Sequence, residues 1–306
     1  MATTAWVFPG QGSQYVGMGS DLASHDAEAR ALVEHADRVL GASLSSVMFS
    51  GPEDELRQTR NTQPAIFVHS MMLVTLLGKR RPEMVAGHSL GEYTALVVAG
   101  ALTFEEGLKL VRLRGELMHH AGEVEHGTMA AVIGLDPPVV EALCKEASAS
   151  GIVQSANFNS PGQIVISGSV EGVRAAMALA KTRGAKMVKE LVVSGAFHSP
   201  LMRSAKDGLQ KALENVAIRD AGIPVYANVT AETVVDGRKI RELLLDQLTF
   251  PVRWEESVVH MRRDGAARFV EIGPGKVLQG LIKRIDPEAS TRGLDKVGDI
   301  AGFEAP

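Results

Sequence analysis

The sequence is poor in cysteine and in aromatic side chains, and it has no long apolar run. Its 306 residues include a single cysteine, Cys144, so no internal disulfide can form, and aromatic residues make up only 5%. The longest apolar stretch without a charge, residues 64–77, is shorter than the roughly 18 residues that a membrane span needs. No signal peptide is recognisable at the start. We therefore expect a cytoplasmic protein with no membrane partner.

Neither sign of charge dominates the sequence. Thirty-two Lys and Arg stand against 36 Asp and Glu, which gives a net charge of -4 with both signs interspersed. A nucleic-acid partner would require a broad basic surface, so we expect none. The 45% of hydrophobic residues are enough to bury a sizeable core, in one large or two unequal domains.

The order of apolar segments predicts an α/β core. Short buried strands are expected at residues 4–8 and 84–87, and a helix that is apolar on nearly all sides is expected at residues 65–77 between them. Strands that alternate with helices favour this fold class. The remaining predictions outside the middle of the chain are strands at residues 225–229 and 268–272 and a loop-like tail after residue 286.

The middle of the chain follows a different order. Its segments are predicted as strand, helix, strand, strand, helix and strand, which is the ferredoxin-like β-α-β-β-α-β order. An inserted small domain is the economical interpretation. We therefore predict a ferredoxin-like insert at residues 125–194 within an α/β core made of residues 1–124 and 195–306. The six segments are residues 129–133, 137–148, 152–157, 163–167, 170–182 and 186–193.

A candidate nucleophile lies in the stretch VAGHSLGEYTA, residues 85–95. Ser89 stands between two glycines at the G-x-S-x-G spacing. Between a strand and a helix this pattern is typical of a nucleophile elbow, in which the glycines permit a strained turn that exposes the hydroxyl. Free N–H groups at the start of the helix would also favour negative charge there. The alternative is a strand-to-helix turn whose serine only caps the helix.

The best candidate for a base among nine histidines is His198. It follows the apolar segment ELVVSG and comes directly before Ser199-Pro200, a pair that starts a helix, so it occupies a rigid loop position. His88 adjoins Ser89, but successive residues point in different directions at an elbow. His69 lies in an apolar helix and is better explained as a core histidine. No Asp or Glu between Ser89 and His198 stands at a strand end, so a backbone carbonyl is the candidate that orients the base.

Two further features suggest where a substrate would bind. Arg114 lies beside the apolar stripe of the helix EEGLKLVRLRGELM, where it needs an anion: either a buried structural partner or a substrate carboxylate held by two parallel hydrogen bonds. The stretch FPGQGSQYVGMG is no phosphate loop, because Tyr15 occupies the third glycine position of G-x-G-x-x-G. A glycine-rich turn after the first strand can instead offer N–H groups to an oxyanion.

Six ordered motifs together resemble the malonyl-CoA:acyl carrier protein transacylase family over nearly the whole chain. The resemblance implies a hydrolase-like α/β core with a ferredoxin-like insert. It also implies acyl transfer from malonyl-CoA to the phosphopantetheine thiol of acyl carrier protein, with no metal and no bound organic cofactor. The motifs are FPGQGSQ at 8–14, GHSLGEY at 87–93, RLRGELM at 112–118, NFNSPGQIVISG at 157–168, AFHSPLM at 196–202 and EIGPGKVL at 271–278.

The resemblance also implies roles for individual residues. It makes Ser89 the nucleophile, His198 the base and Arg114 the ligand of the malonyl carboxylate. Phe197, just before the histidine, matches the malonyl pattern, although Gly195 replaces a usual histidine. The other implied site residues are Gln11 and Leu90, whose N–H groups form the oxyanion hole, Gln247, whose carbonyl holds the histidine, and Asn159, Gln63 and His88 in supporting roles.

Other functions stay open at this point. A free-standing acyltransferase of a polyketide line would use the same chemistry. A serine hydrolase or thioesterase acting on acyl thioesters would use the same nucleophile and base. A non-catalytic binding protein that has kept the fold is disfavoured, because Ser89, His198 and Arg114 are all present.

Overall fold

Two separate β-sheets form in the computed structural model, which describes residues 3–303. Their ten strands are β1 (Thr3–Phe8), β2 (Met84–Gly87), β3 (Gly127–Ile133), β4 (Val153–Ser160), β5 (Gln163–Ser169), β6 (Met187–Glu190), β7 (Val225–Tyr226), β8 (Thr233–Val234), β9 (Ala266–Ile272) and β10 (Ser290–Leu294).

Helices surround both sheets. In chain order they are α1 (Ser20–His25), α2 (Ala27–Leu40), α3 (Leu44–Ser50), α4 (Glu53–Arg57), α5 (Thr59–Leu76), α6 (Gly91–Val98), α7 (Phe104–Val124), α8 (Pro137–Ala147), α9 (Val170–Thr182), α10 (Arg203–Glu214), α11 (Gly237–Asp246), α12 (Trp254–Arg263), α13 (Val277–Ile285) and α14 (Val297–Ile300), with a 3₁₀ turn at Pro200–Met202 before α10. Within the described range, no helix combines the length and the apolar character needed to cross a lipid bilayer.

The larger sheet is mainly parallel and has the strand order β10-β9-β1-β2-β7-β8. Strand β1 is central and pairs in parallel with both β2 and β9, while only the short β8 runs antiparallel to its neighbour. The strands β1 and β2 are almost wholly buried. Their carboxyl ends therefore meet at the same edge of the sheet, where open α/β sheets place their ligand sites.

The smaller sheet is antiparallel and has the order β4-β5-β3-β6. Helices α8 and α9 cover it and enclose a separate core that includes Val132, Leu143 and Ile166. Main-chain hydrogen bonds between β4 and Val252 join it to the rest of the protein. The arrangement confirms the predicted fold class, a mainly parallel α/β core with a ferredoxin-like unit. The boundaries at residues 124/125 and 194/195 stay a prediction.

Helix α5 begins at Thr59, six residues before the predicted start at 65. Pro64 lies inside the helix, although proline cannot donate the N–H bond to the carbonyl four residues earlier. In the structure the carbonyl that loses this donor, that of Arg60, accepts a hydrogen bond from Arg112 Nη1 at 3.1 Å. A contact from another helix thus compensates for Pro64 inside α5.

The end of the chain also differs from the sequence-based expectation. The prediction of a loop-like tail after residue 286 is wrong, because β10 pairs in parallel with β9 over five residues and α14 follows. As an edge strand of sequence STRGL, β10 lacks the apolar run that marks a buried strand. The strand predicted at 225–229 covers only Val225–Tyr226, because the chain turns back so that Ala227 N–H donates to Glu232 O.

Candidate active site

Ser89 sits on a sharp turn between β2 and α6. Its φ is 51°, a left-handed conformation that few non-glycine residues adopt. Glycine is required on both sides: a Cβ at Gly87 would lie 1.9 Å from the Gly91 carbonyl carbon, and one at Gly91 would lie 2.1 Å from Phe8 O. The Ser89 N–H donates to Asn228 Oδ1 at 2.7 Å, which fixes the turn. The G-x-S-x-G spacing therefore has the geometry of a nucleophile elbow.

His198 lies against the serine. Its Nε2 is 2.8 Å from Ser89 Oγ, and its Nδ1 is 2.7 Å from the main-chain oxygen of Gln247. A carbonyl oxygen only accepts hydrogen bonds, so Nδ1 carries the proton and Nε2 is free to accept one from the serine. Burial, followed by the nearby Arg114 cation, lowers the pKa of His198 to about 3, which keeps the ring neutral near neutral pH.

The backbone around His198 is held in place from several sides. His198 itself has a φ of 57°, and its carbonyl accepts a hydrogen bond from Gln154 Nε2 at 2.8 Å. Upstream, Ser194 lies so close to helix α7 that a Cβ at Gly122 would stand 1.9 Å from the Ser194 oxygen. The loop that carries the base is therefore tied to the helix that carries Arg114.

Arg114 is buried, with 1% of its surface exposed, and it reaches the serine. Its Nη2 lies 3.0 Å from Ser89 Oγ and 2.9 Å from Gln247 Oε1, and its Nη1 lies 2.8 Å from Gln63 Oε1. Its Nε has no partner among residues 3–303. All three acceptors are neutral, so no anion is bound directly to the guanidinium, and it can bind one beside the nucleophile.

A cleft of about 320 Å³ opens over Ser89. Gln11 and Leu90 line it, and neither main-chain N–H donates a hydrogen bond within the described chain. The turn after β1 approaches the elbow so closely that a Cβ at Gly10 would lie 2.5 Å from His88 O. Two unused N–H groups thus flank the serine, as an oxyanion site requires.

The remaining predicted site residues also lie around the cleft. His88 faces away from the serine: its Nε2 is 2.8 Å from Asn159 Oδ1, and its ring packs 5.7 Å from that of Trp254. Burial lowers the pKa of His88, so this ring too is neutral. Phe197 is 6% exposed and lines the cleft, together with side chains of α7 and the smaller sheet that include Met118, Met129 and Val165.

Two residues of this network were missed by the sequence analysis. Glu92 is 2% exposed, and its Oε2 accepts hydrogen bonds from Asn228 N at 3.0 Å and from Gln247 Nε2 at 2.8 Å. Burial raises the pKa of Glu92 to about 7. Asn228 also donates to Gly87 O at 2.6 Å. A charged residue in the otherwise apolar α6 was the one available signal for Glu92, whereas Asn228 gave none.

The site contains no recognisable metal centre. Across the part of the chain that the structure describes, no group of three or more His, Cys, Asp or Glu side chains is arranged to hold a metal ion. The cleft instead brings together a hydroxyl, a neutral imidazole, a guanidinium and unused N–H groups. These groups match nucleophilic attack on an acyl carbon followed by proton transfer.

Comparisons with known proteins agree on one family for this chain. The family model for the acyl transferase domain matches residues 5–292. The malonyl CoA-acyl carrier protein transacylase of Bacillus subtilis is 44% identical to this chain, over 95% of this chain and 93% of the relative. That of Haemophilus influenzae is 43% identical, over 100% of this chain and 98% of the relative.

Solved structures agree with the sequence relatives. The transacylase of Coxiella burnetii has a TM-score of 0.95 and 40% identity, over 98% of this chain and 96% of that chain. A malonyl-transacylase solved in complex with a type II PKS acyl-carrier protein has a TM-score of 0.94 and 40% identity, over 98% of both chains. The chain therefore belongs to the acyl transferase family and, within it, to the malonyl CoA-acyl carrier protein transacylases.

Proposed function

We propose that this chain transfers a malonyl group from malonyl-CoA to the phosphopantetheine thiol of acyl carrier protein through a covalent ester on Ser89. The observation that carries the proposal is the position of Arg114, whose Nη2 lies 3.0 Å from the Ser89 hydroxyl inside the cleft. A buried cation beside a nucleophile suits an acyl group that ends in a carboxylate. The names of the relatives support the same substrate and partner.

The first half-reaction loads the enzyme. Ser89 Oγ attacks the thioester carbon of malonyl-CoA while its proton passes to His198 Nε2, at 2.8 Å. The N–H groups of Gln11 and Leu90 stabilise the oxyanion of the tetrahedral intermediate. The carbon–sulfur bond then breaks, the CoA sulfur takes the proton from His198, and the malonyl ester remains on Ser89.

The second half-reaction runs the same steps in reverse with a different thiol. The phosphopantetheine thiol of the carrier gives its proton to His198 and attacks the Ser89 ester. The ester carbon–oxygen bond breaks, and His198 returns the proton to Ser89 Oγ. The main-chain oxygen of Gln247 holds the imidazole in the required tautomer through both halves, so a serine–histidine dyad suffices without a carboxylate.

Arg114 and its neighbours select the acyl group in this proposal. On binding, the malonyl carboxylate would become the directly bound anion that the guanidinium lacks among the described residues, and Gln63 would keep the guanidinium oriented through Nη1. Asn159 and His88 form a supporting pair at the cleft wall. All of these groups belong to the chain itself, and the proposal includes no resident metal or organic cofactor. We also propose that the reaction takes place in the cytoplasm.

Incubation with radiolabelled malonyl-CoA, first without and then with acyl carrier protein, tests this function. We expect one stable label per enzyme chain, which leaves the enzyme when the carrier is added and appears on the carrier. Free malonate as the main product in both incubations would contradict transfer and favour the serine hydrolase alternative. Carriers of fatty acid and of polyketide synthesis, compared side by side, distinguish the two pathways.

A further inference from the structure

The charge of Arg114 is compensated indirectly. Within the described residues the guanidinium donates to the neutral oxygens of Gln63, Ser89 and Gln247, and it lies 5.7 Å from the centre of the Tyr93 ring. A buried cation without any anion is costly, so a counter-charge is expected nearby. Among the described residues, Glu92 is the one carboxylate hydrogen-bonded to any of these three partners, and it reaches Arg114 through the Gln247 side chain alone.

The Gln247 amide is that link. Its Oε1 accepts from Arg114 Nη2 at 2.9 Å, and its Nε2 donates to Glu92 Oε2 at 2.8 Å. Glu92 Oε2 also accepts the Asn228 N–H, so the ionised carboxylate is well provided with donors despite its burial. The carboxylate and the guanidinium are thus held in a fixed relation across one amide.

A second carboxylate enters this arrangement if the proposed substrate binds. The malonyl carboxylate and Glu92 would then share one guanidinium in a site with little water. Two like charges in such a site oppose each other, so each weakens the binding of the other. This step rests on the proposed function, because only an acyl group with a carboxylate creates the competition.

We propose that Glu92 is a positioning residue that acts as the resident counter-ion of Arg114 and limits how tightly the enzyme holds the malonyl carboxylate. Malonyl binding and protonation of Glu92 then favour each other. The loaded state takes up a proton at Glu92, and the unloaded state releases it. Such coupling keeps the acyl group from being held too strongly for transfer onward.

The surroundings of Glu92 determine the direction of the pH dependence. The titratable groups on the elements around it are Arg114 on α7, Tyr93 on its own helix, His88 on the elbow and His198 on its loop. Burial raises the pKa of Tyr93 to about 12 and lowers the pKa of both histidines, so Arg114 alone is charged near neutral pH. As pH falls through the Glu92 pKa of about 7, the competing charge disappears and malonyl-CoA should bind more tightly.

Calorimetric binding in a Ser89→Ala background tests the proposal, because binding is then measured without acyl transfer. With Glu92 present, we expect the Kd of malonyl-CoA to fall by about tenfold from one pH unit above the Glu92 pKa to one unit below it. Glu92→Gln keeps the shape and an acceptor oxygen but removes the charge. We expect that variant to bind malonyl-CoA about tenfold more tightly at high pH, with the pH dependence lost.

Two controls separate this effect from general damage. Acetyl-CoA has no carboxylate, so its affinity should not respond to Glu92→Gln or to this pH range. Glu271 is another buried carboxylate with a raised pKa, but its partners are Leu278 and Gln279 at the start of α13. Glu271→Gln should therefore lower stability and leave the pH dependence of malonyl-CoA binding unchanged.

The outcomes distinguish this inference from the proposed function. If malonyl-CoA labels Ser89 in the unmodified enzyme but Glu92→Gln and pH leave its affinity unchanged, the counter-ion role is overturned alone. If no covalent malonyl enzyme forms, the proposed function itself fails. If Glu92→Gln does not fold, the Ser89→Ala protein still decides: binding of malonyl-CoA near the Glu92 pKa must take up a proton, seen as a buffer-dependent binding enthalpy, and no uptake rejects the proposal.

Discussion

The two sheets contribute different kinds of group to one cleft. The larger sheet and its helices supply the reactive ones: Gln11 after β1, Ser89 after β2 and Arg114 on α7. The smaller sheet supplies Asn157 and Asn159 on β4, Gln163 on β5 and otherwise an apolar wall. That wall includes Met129, Ala131 and Val165.

The difference between the sheets lies in how tightly each group is fixed. At the elbow of the larger sheet the backbone leaves no room even for a methyl group at Gly87 or Gly91. The wall on the smaller sheet is held by side-chain packing, which adjusts more easily. We therefore expect changes at the larger sheet to have larger effects than changes at the wall.

The loop that carries His198 lies between the two sheets. It follows β6 of the smaller sheet and has contacts on both sides: Gly122 of α7 packs against Ser194, Gln247 accepts from the imidazole, and Gln154 on β4 donates to the His198 carbonyl. The base thus follows the smaller sheet in the sequence and is positioned by contacts from both units. Changes at His198 should accordingly resemble those at the elbow.

The largest effect is expected for Ser89→Ala. The change removes one oxygen and almost no core volume, so covalent malonylation should be abolished while the fold is retained. Intact-protein mass spectrometry after incubation with malonyl-CoA measures the adduct. Ser70→Ala is a matched control, because this buried hydroxyl has no partner in the described chain. A malonyl adduct on the Ser89 variant would show that the nucleophile is elsewhere.

His198→Ala should slow acylation by roughly 10²- to 10⁴-fold, the range typical of losing a positioned general base. The serine and Arg114 remain in place, so slow loading should still be measurable by rapid-quench labelling. His260→Ala serves as the control, since its Nδ1 also contacts a main-chain oxygen, that of Ala231, outside the cleft. An unchanged acylation rate in the His198 variant would require a different base.

Arg114→Ala should remove most of the preference for malonyl-CoA over acetyl-CoA. The loss of a buried partner for the malonyl carboxylate should lower malonyl loading by about 100-fold relative to acetyl loading. Competition loading with both substrates gives the ratio directly. Lys109→Ala is the control, because Lys109 is an exposed cation on the same helix and does not line the cleft. Equal losses for both substrates would contradict carboxylate recognition.

The sequence was most informative where the chemistry is local. The glycines around Ser89 and the position of His198 before Ser199-Pro200 predicted the elbow and the base, because a few consecutive residues determine each turn. The same reasoning led to a main-chain carbonyl as the group that orients the histidine, since no acid stood in a suitable place. In the structure, the main-chain carbonyl of Gln247 accepts the hydrogen bond from His198 Nδ1.

What the sequence could not supply are contacts between distant segments. Glu92 meets Gln247 across 155 positions, and Asn228 reaches Ser89 across 139. Neither partner has a local pattern, because each contact depends on how α6, the turn after β7 and the end of α11 pack together. Strand β10 was missed for a related reason: its pairing with β9 comes from the sheet edge and not from its own composition.

The smallest effect is expected for Phe197→Ser, on the loop that carries His198, and it concerns methylmalonyl-CoA. The ring is 6% exposed and lines the cleft beside Ser89. The ring belongs to the same buried cluster as Met118 and Met202, so its displacement would disturb packed neighbours. An α-methyl on the acyl group would have to displace the ring, at a cost of about 1–3 kcal/mol, or on the order of 10- to 100-fold in rate.

The unmodified enzyme should therefore prefer malonyl-CoA over methylmalonyl-CoA. Phe197→Ser should reduce this preference by about tenfold and should not improve the loading of acetyl-CoA. Competition loading with paired substrates measures both ratios. Phe250→Ser is the matched control, because that ring is 49% exposed and lies outside the cleft. A preference that survives the Phe197 change would assign the selection against the α-methyl to another part of the cleft. Equal loading of malonyl-CoA and methylmalonyl-CoA by the unmodified enzyme would contradict the steric argument, because displacement of the ring would then cost no free energy.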